Sequence, residues 1–471
     1  MRLANVISNS FALVLLDVMN KAMPLIVFTV VVRVLGPAVF GQLGFAGAVA
    51  GFFALLASPG FTTYAVREAA RDQEKVSFLV QHVVGARLCF ALGSFLLLVA
   101  YAAYFAPRDG ETRLLIVLSG LAFTVGSLDI QWIFEARSRM WVIAARGIVS
   151  QLFYCGIILA FVRRPRDVWI IPVATAFAVT LTTALLWVAA RREYHIQAPK
   201  ISVRTWPVFL PVCMVMGFAS LMSMIYDQID TVMLKYFRSD SEVGLYVACY
   251  SLMTASVSFL PVLGQVFMPL FSETAGKGVE EEKKYLRWAL YATVGLAVPI
   301  AVGGFILATP LTKLVLGGQY AGSGFLFRWL MLNILSAPLA SYYGTRLITH
   351  GWERRYLLAV MAGAVVNVVL NLFLIPHYGA VAAAITTASS QIAVAVMTYH
   401  FSRDLWKPRL LAPFVLSASA ACLMAVGLLV VRAALPVAML VLIGAIVYGG
   451  AYALGVNVWN RLGSGANTAS G

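Results

Sequence analysis

Charge is scarce in this chain of 471 residues. Only 12% of them are Asp, Glu, Lys or Arg, against 61% hydrophobic, and the mean hydropathy is +0.86. So much apolar surface exceeds what one soluble core buries, which excludes an ordinary globular domain. Cysteine is scarce as well. Cys89, Cys155, Cys213, Cys249 and Cys422 each fall inside an apolar run with no paired spacing, so neither a disulfide framework nor a zinc site is supported. The five histidines are dispersed, and the sequence contains no glycine-rich loop ending in Lys-Ser or Lys-Thr. ATP hydrolysis by this chain is therefore not expected to drive anything. Met1 to Ser10 lacks the charged start and small-residue cleavage pattern of a secretory leader, so the first apolar run is expected to be retained. The net charge of +15 raises the question of nucleic acid, but the cations are spread over many short loops. Anionic lipid explains them more simply, and no nucleic-acid partner is expected.

What the chain has instead is a succession of about fourteen apolar runs, each near the roughly 20 residues that cross a bilayer. They lie at Phe11–Val32, Phe40–Val66, Phe78–Phe105, Leu114–Phe134, Val142–Val162, Val168–Ala190, Pro207–Tyr236, Val243–Phe271, Leu286–Ala308, Phe325–Thr349, Tyr356–Ile375, Gly379–Tyr399, Leu411–Val431 and Pro436–Val458. The expected fold is an all-α polytopic membrane protein whose breaks are too short for a soluble domain.

The Lys and Arg bias of those breaks sets an orientation. With Met1 inside, one side collects about 21 cations, including Arg67, Arg71, Arg137, Arg139, Arg191, Arg192 and Lys200; the other collects about 10. Both termini are expected to be cytoplasmic. Arg163-Arg164-Pro165-Arg166, on the poorer side, is the clear violation. Trp132, Trp141, Trp169, Trp206, Trp288 and Trp406 fall near span ends, as interfacial belt residues do.

Within the apolar runs stand four carboxylates (Asp17, Asp129, Asp227, Asp230) and four cations (Lys21, Arg87, Arg328, Arg346). A charge in hydrocarbon costs at least about 2.5 to 3.5 kcal/mol on the mildest scale, so such groups face a partner, a water-filled cavity or a polar cargo. Transport of something polar is the class this points to. A weak internal repeat is visible too. Arg33-Val-Leu-Gly-Pro with Phe40-Gly41 follows the first span, and Lys235 with Glu242-Val-Gly-Leu-Tyr246 follows the seventh. An offset of six spans preserves orientation and makes the repeat parallel, about an axis along the membrane normal. Gly47 and Gly51 have the small-xxx-small spacing that lets helices approach closely.

These motifs, together with Asn371-Leu-Phe-Leu-Ile-Pro-His-Tyr-Gly379 and Ala382-Ala-Ala, resemble the polysaccharide-exporting flippases of the MOP superfamily, the Wzx-like O-antigen and capsule flippases. The resemblance runs from about Leu3 to Arg409. It implies two six-helix lobes, 1–200 and 201–405, related by a pseudo-two-fold axis and enclosing a polar cavity with alternating access. Two additional helices (406–460) and a disordered tail (461–471) complete the expected organisation. The implied cargo is an oligosaccharide on undecaprenyl diphosphate, turned from the cytoplasmic to the periplasmic leaflet of a bacterial inner membrane. Membrane lipids, a polysaccharide polymerase and its chain-length machinery are the implied partners. No enzyme activity and no cofactor are expected, beyond coupling to sodium or protons.

For the diphosphate, the substrate-binding candidates are Lys21, its helical neighbour Asp17, Arg87 and Arg346, because Arg offers forked contacts and Lys a point charge. Asp17 precedes Lys21 by four residues, so the two also read as a self-neutralising pair that only fixes packing. Arg87 and Arg346 lie near span ends, where snorkelling competes with a cavity role, and Arg328 is expected to snorkel. Asp129 is expected to pair with Arg137 or Arg139. The cation-coupling candidates are Asp227, Asp230, Asn367, Asn371 and Thr387, beside Thr386. The resemblance extends to the sodium site of lipid II flippases, which has an acid where Asn371 stands. Interhelical hydrogen bonding is the other reading of these Asn and Thr residues. Lipid II flippases also carry cavity arginines on their second and eighth helices, where this chain offers Ser58, Tyr250 and Gln265. A cation-coupled small-molecule exporter of the same superfamily and a membrane glycosyltransferase are the competing functions.

Overall fold

The computed structural model of the protein describes residues 2–194, 196–258, 279–403, 405, 411–432 and 434–468; for residues 2–22, 73, 219, 279–282, 284 and 458–468 it describes the backbone alone. Among these residues every regular element is helical. In chain order they are α1 (Arg2–Ala57), α2 (Phe61–Arg71), α3 (Val76–Tyr104), α4 (Gly110–Gly126), α5 (Gln131–Ala136), α6 (Met140–Phe161), α7 (Ile170–Tyr194), α8 (Trp206–Phe237) and α9 (Asp240–Val257). There follow α10 (Val279–Ile306), α11 (Ala308–Leu316), α12 (Ser323–Thr349), α13 (Glu353–Phe401), α14 (Leu411–Val431) and α15 (Val437–Thr468).

Among the described residues ten helices are long and apolar enough to cross a membrane. Two of them, α1 and α13, are each a pair of spans folded at a single glycine: Gly36 with φ +72° and Gly379 with φ +57°. A Cβ is strained at positive φ, and glycine enters that region freely. At the first bend Pro37 follows directly, its fixed φ and missing N–H suiting the first turn of the next helix. With α4 and α9 added, each of the fourteen expected spans has its helix, although the eighth runs on beyond the described residues.

Two expected spans end earlier than their hydropathy implies. The second stops at Ala57, and Gly60 at φ +68° starts the separate helix α2. One face of α2, Phe61, Tyr64, Ala65 and Ala69, is buried, while Arg67 and Arg71 lie outside it; this is the i, i+4, i+8 pattern of an amphipathic helix. The fourth stops at Gly126 and resumes as α5.

The chain forms two compact units, Met1–Gly244 and Leu245–Gly471. In the first, α1 packs against α3, α4, α6 and α8, and α7 closes over α4 and α6. Its basic end is sealed by a core of Phe61, Tyr64, Trp132, Phe134, Ile196 and Phe209. Trp132, expected in the interfacial belt, is 1% exposed there, whereas Trp141, Trp169 and Trp288 lie open as expected. Whereas the two compact units divide after Gly244, the expected lobe boundary at 200/201 falls in the segment between α7 and α8. This segment is tied to α3 where a π turn at Leu79–Val83 frees the Gln81 carbonyl: the Lys200 amide donates to it at 2.7 Å. In the second unit α12 packs against α10 and α13, and the final pair α14 and α15 packs against α10.

Candidate functional site

At the end of the first unit opposite its basic loops, the two copies of the sequence repeat meet. A Cβ on Gly41 would run into the Asp240 carbonyl and stand 2.7 Å from the Gly244 nitrogen; a Cβ on Gly244 would run into the Pro37 carbonyl, 2.7 Å from its carbon. Gly41 lies four residues after Pro37, and Gly244 four after Asp240, so the contact is reciprocal. The close approach expected at Gly47 and Gly51 is weaker: Gly47 has open space and Gly51 meets only the flexible Met224 side chain.

Around this contact lies a polar cluster that the sequence did not single out. The Gln42 amide donates to Asp109 and to Asp240, both at 3.0 Å; Lys235, 8% exposed, is ion-paired with Asp240 and reaches Thr112 at 3.5 Å. Asp109 caps α4, accepting from the Glu111 and Thr112 amides at 3.2 Å and the Thr112 hydroxyl at 2.5 Å. Burial pulls the Asp109 carboxyl up, but the bonds from Thr112 and Glu111 and the charge on Lys235 outweigh it and hold it below its usual value. The cap was legible, since Asp109 stands before Glu111 in the first turn of a helix. The gathering of four helix ends was not.

Arg87 is packed at the break of the fourth span. It is 7% exposed, and its guanidinium donates at 3.0 Å to the carbonyls of Gly126 and Asp129. Trp187 donates to the Leu128 carbonyl at 2.8 Å. These bonds satisfy carbonyls released where the fourth span breaks, which a buried helix end requires. Asp129 pairs with Arg146, which also reaches Gln131, not with Arg137 or Arg139. Those two sit over the Tyr194 ring, at 4.0 and 6.0 Å, and Arg139 pairs with Glu193. Local spacing suggested the nearer arginines, but the α5 turn carries them past the carboxylate to α7.

The side chains of Asp17 and Lys21 lie outside the described residues, as does Gln265; the backbone places the first two on the opening half of α1. Asp227 and Asp230 share α8, where Asp230 is 1% exposed and Asp227 lies open. In the second unit Arg346 is fully buried on α12, at 1%, and Arg328 lies with its guanidinium 5.8 Å from the Phe305 ring. Asn367, Asn371, Thr386, Thr387 and Ser390 are all buried between the two halves of α13. The Asn371 amide donates to Asn367 at 2.9 Å, Thr386 donates to Asn371, and Thr387 meets the Tyr246 hydroxyl at 3.1 Å. Asn367 reaches Ser390 at 3.5 Å. These oxygens are engaged with one another, as in interhelical packing, and sodium would have to displace such bonds to be held there. No group of three His, Cys, Asp or Glu side chains converges among the described residues.

The second unit also holds an apolar cavity of about 690 Å³ between α10, α12, α14 and α15, with Gly295, Gly303 and Gly444 among the residues around it. A Cβ on Gly295 would collide with the Tyr452 ring, whose hydroxyl donates to the Tyr291 carbonyl at 2.9 Å.

Comparison with known proteins agrees with this architecture. The chain is 21% identical over 394 residues to a protein of Escherichia coli (strain K12) named "Putative O-antigen transporter", covering 82% of this chain and 94% of that one. Its fold is similar to the lipid II flippase MurJ in an inward closed conformation, with a TM-score of 0.77 at 12% identity over 96% of this chain and 99% of the other. An inward-facing multidrug resistance MATE transporter of the MOP superfamily superposes with a TM-score of 0.62 at 14% identity, over 82% and 94% of the two chains. Residues 6–275 match the family described as "Polysaccharide biosynthesis protein", and with more than half its length matched the chain belongs to that family.

Proposed function

We propose that this protein is a flippase that carries an oligosaccharide linked to undecaprenyl diphosphate from the cytoplasmic to the periplasmic leaflet of a bacterial inner membrane, by alternating access. Family membership and the flippase fold support a transporter. The observation that carries the lipid-linked cargo is the cavity of about 690 Å³ beside α14 and α15, whose lining is almost wholly apolar. Sugars do not need such a surface; a prenyl chain does, at about 0.8 kcal/mol for each CH₂ buried.

In this reading the two repeats are the moving lobes, and both termini lie in the cytoplasm. Lys21 meets the diphosphate, with Asp17 beside it setting its orientation. Coupling to a sodium or proton gradient, or to the membrane potential, runs through Asp227 and Asp230 in the membrane interior. The delivered unit passes to a polysaccharide polymerase and its chain-length machinery.

The test is translocation in proteoliposomes by Lys21→Ala and Asp230→Asn beside the wild type. Lys21→Ala is expected to lose transport while melting as the wild type does. Asp230→Asn is expected to transport at a rate no longer responsive to an imposed cation gradient. Full transport by Lys21→Ala would remove the lysine from the diphosphate site, and an unchanged gradient response would remove Asp230 from coupling.

A further inference from the structure

The loop between α6 and α7 breaks the orientation rule with Arg163, Arg164 and Arg166, and the structure shows it to be a built turn. The Asp167 carboxylate accepts the backbone amides of Arg163 and Arg164, at 3.0 and 2.8 Å, and the Asp167 amide donates back to the Arg164 carbonyl at 3.0 Å. Pro165 fixes one more φ. The turn packs against α1, α4 and α7. Its acid is thus directed mainly at the backbone, with the Arg164 charge acting on it as well, while all three arginine side chains are exposed and the acid's hydrogen bonds in the turn come from backbone amides. Phe161 and Trp169, 63% and 48% exposed, flank the turn, and such aromatics sit at headgroup depth.

We infer that the Arg163–Arg166 turn is a docking site for a phosphate-bearing lipid headgroup in the periplasmic leaflet. A cationic loop on the translocated side works against the orientation set by the other loops, and here it is held in one shape with its three guanidinium groups exposed beside aromatics of the kind that favour the headgroup region. Guanidinium binds phosphate through forked, charge-assisted bonds, and a fixed turn lowers the ordering cost of doing so. Two sources supply this chemistry: a bulk anionic phospholipid, or the diphosphate of the lipid delivered by the transporter. The inference rests on the orientation proposed above.

The experiment measures binding by the full-length protein in detergent of two probes, dioleoylphosphatidylglycerol and farnesyl diphosphate, with dioleoylphosphatidylcholine as reference. Wild type is compared with a variant carrying Arg163→Gln, Arg164→Gln and Arg166→Gln. The variant is expected to bind one or both anionic probes about tenfold more weakly, with phosphatidylcholine and the melting temperature unchanged. Loss confined to phosphatidylglycerol identifies the bulk lipid as the ligand, and loss of the diphosphate identifies the delivered lipid. Equal binding of both probes by wild type and variant overturns the inference. Should the triple variant not fold, Arg166→Gln alone is judged by the same criterion. Labelling of Arg166→Cys by an impermeant maleimide in sealed vesicles tests the orientation separately: labelling from the cytoplasmic face alone overturns both it and the periplasmic site, whatever the transport assay shows.

Discussion

Gly244→Ala is expected to destabilise the protein by about 3 kcal/mol, the upper end of the usual cost of overpacking. The added methyl would lie inside the Pro37 carbonyl, which belongs to backbone and cannot swing aside as a side chain does. Relief requires α9 to move away from the bend at Gly36, and the hydrogen bonds of Gln42 to Asp109 and Asp240 span the same junction. Gly41→Ala is expected to behave alike, because its methyl meets the Asp240 carbonyl in the reciprocal contact. Gly47→Ala, with nothing within 4 Å, is the control. Thermal melting of the three purified variants checks this. A Gly244→Ala protein that melts with the Gly47→Ala control would show that the repeats do not meet this closely.

Arg87→Ala is expected to cost about 3 kcal/mol, since it removes two charge-assisted bonds worth about 1.5 to 3 kcal/mol each and takes from the Asp129 carbonyl its side-chain partner, while the Gly126 carbonyl keeps the Asp129 amide. Arg87→Lys keeps the charge but not the fork that spans the Gly126 and Asp129 carbonyls, so it is expected to recover part of the loss. A substrate-gripping arginine would behave oppositely, with melting unchanged and transport lost. Melting and translocation measured on the same preparations decide between the two roles.

Much of this fold was legible because membrane spans declare themselves by length and composition. The motif Arg33-Val-Leu-Gly-Pro-Ala-Val-Phe-Gly41 was readable as a marker, and the structure supplies its physical content: a glycine for positive φ, a proline to start the next span, and a second glycine where the repeats touch. Gly379 closes the Asn371 motif by the same device. What hydropathy does not encode is which side chains meet across helices. Asp129 finds Arg146 from the following helix, Trp132 turns into a core under α2, and Gln42, Asp109, Thr112, Lys235 and Asp240 come together from four helix ends. Arg87 drew notice as a buried charge, but its partners are carbonyls at a helix break, and a break in an apolar run leaves no mark on hydropathy.

The measurement that bears most directly on the flippase reading is translocation of an undecaprenyl-diphosphate oligosaccharide by the wild-type protein in proteoliposomes, read as glycan becoming accessible at the far leaflet. Protein-dependent accessibility, absent from empty vesicles and competed by unlabelled lipid-linked glycan, is the predicted result. No translocation under any imposed sodium, proton or voltage gradient, together with export of a small amphipathic cation by the same vesicles, would contradict it.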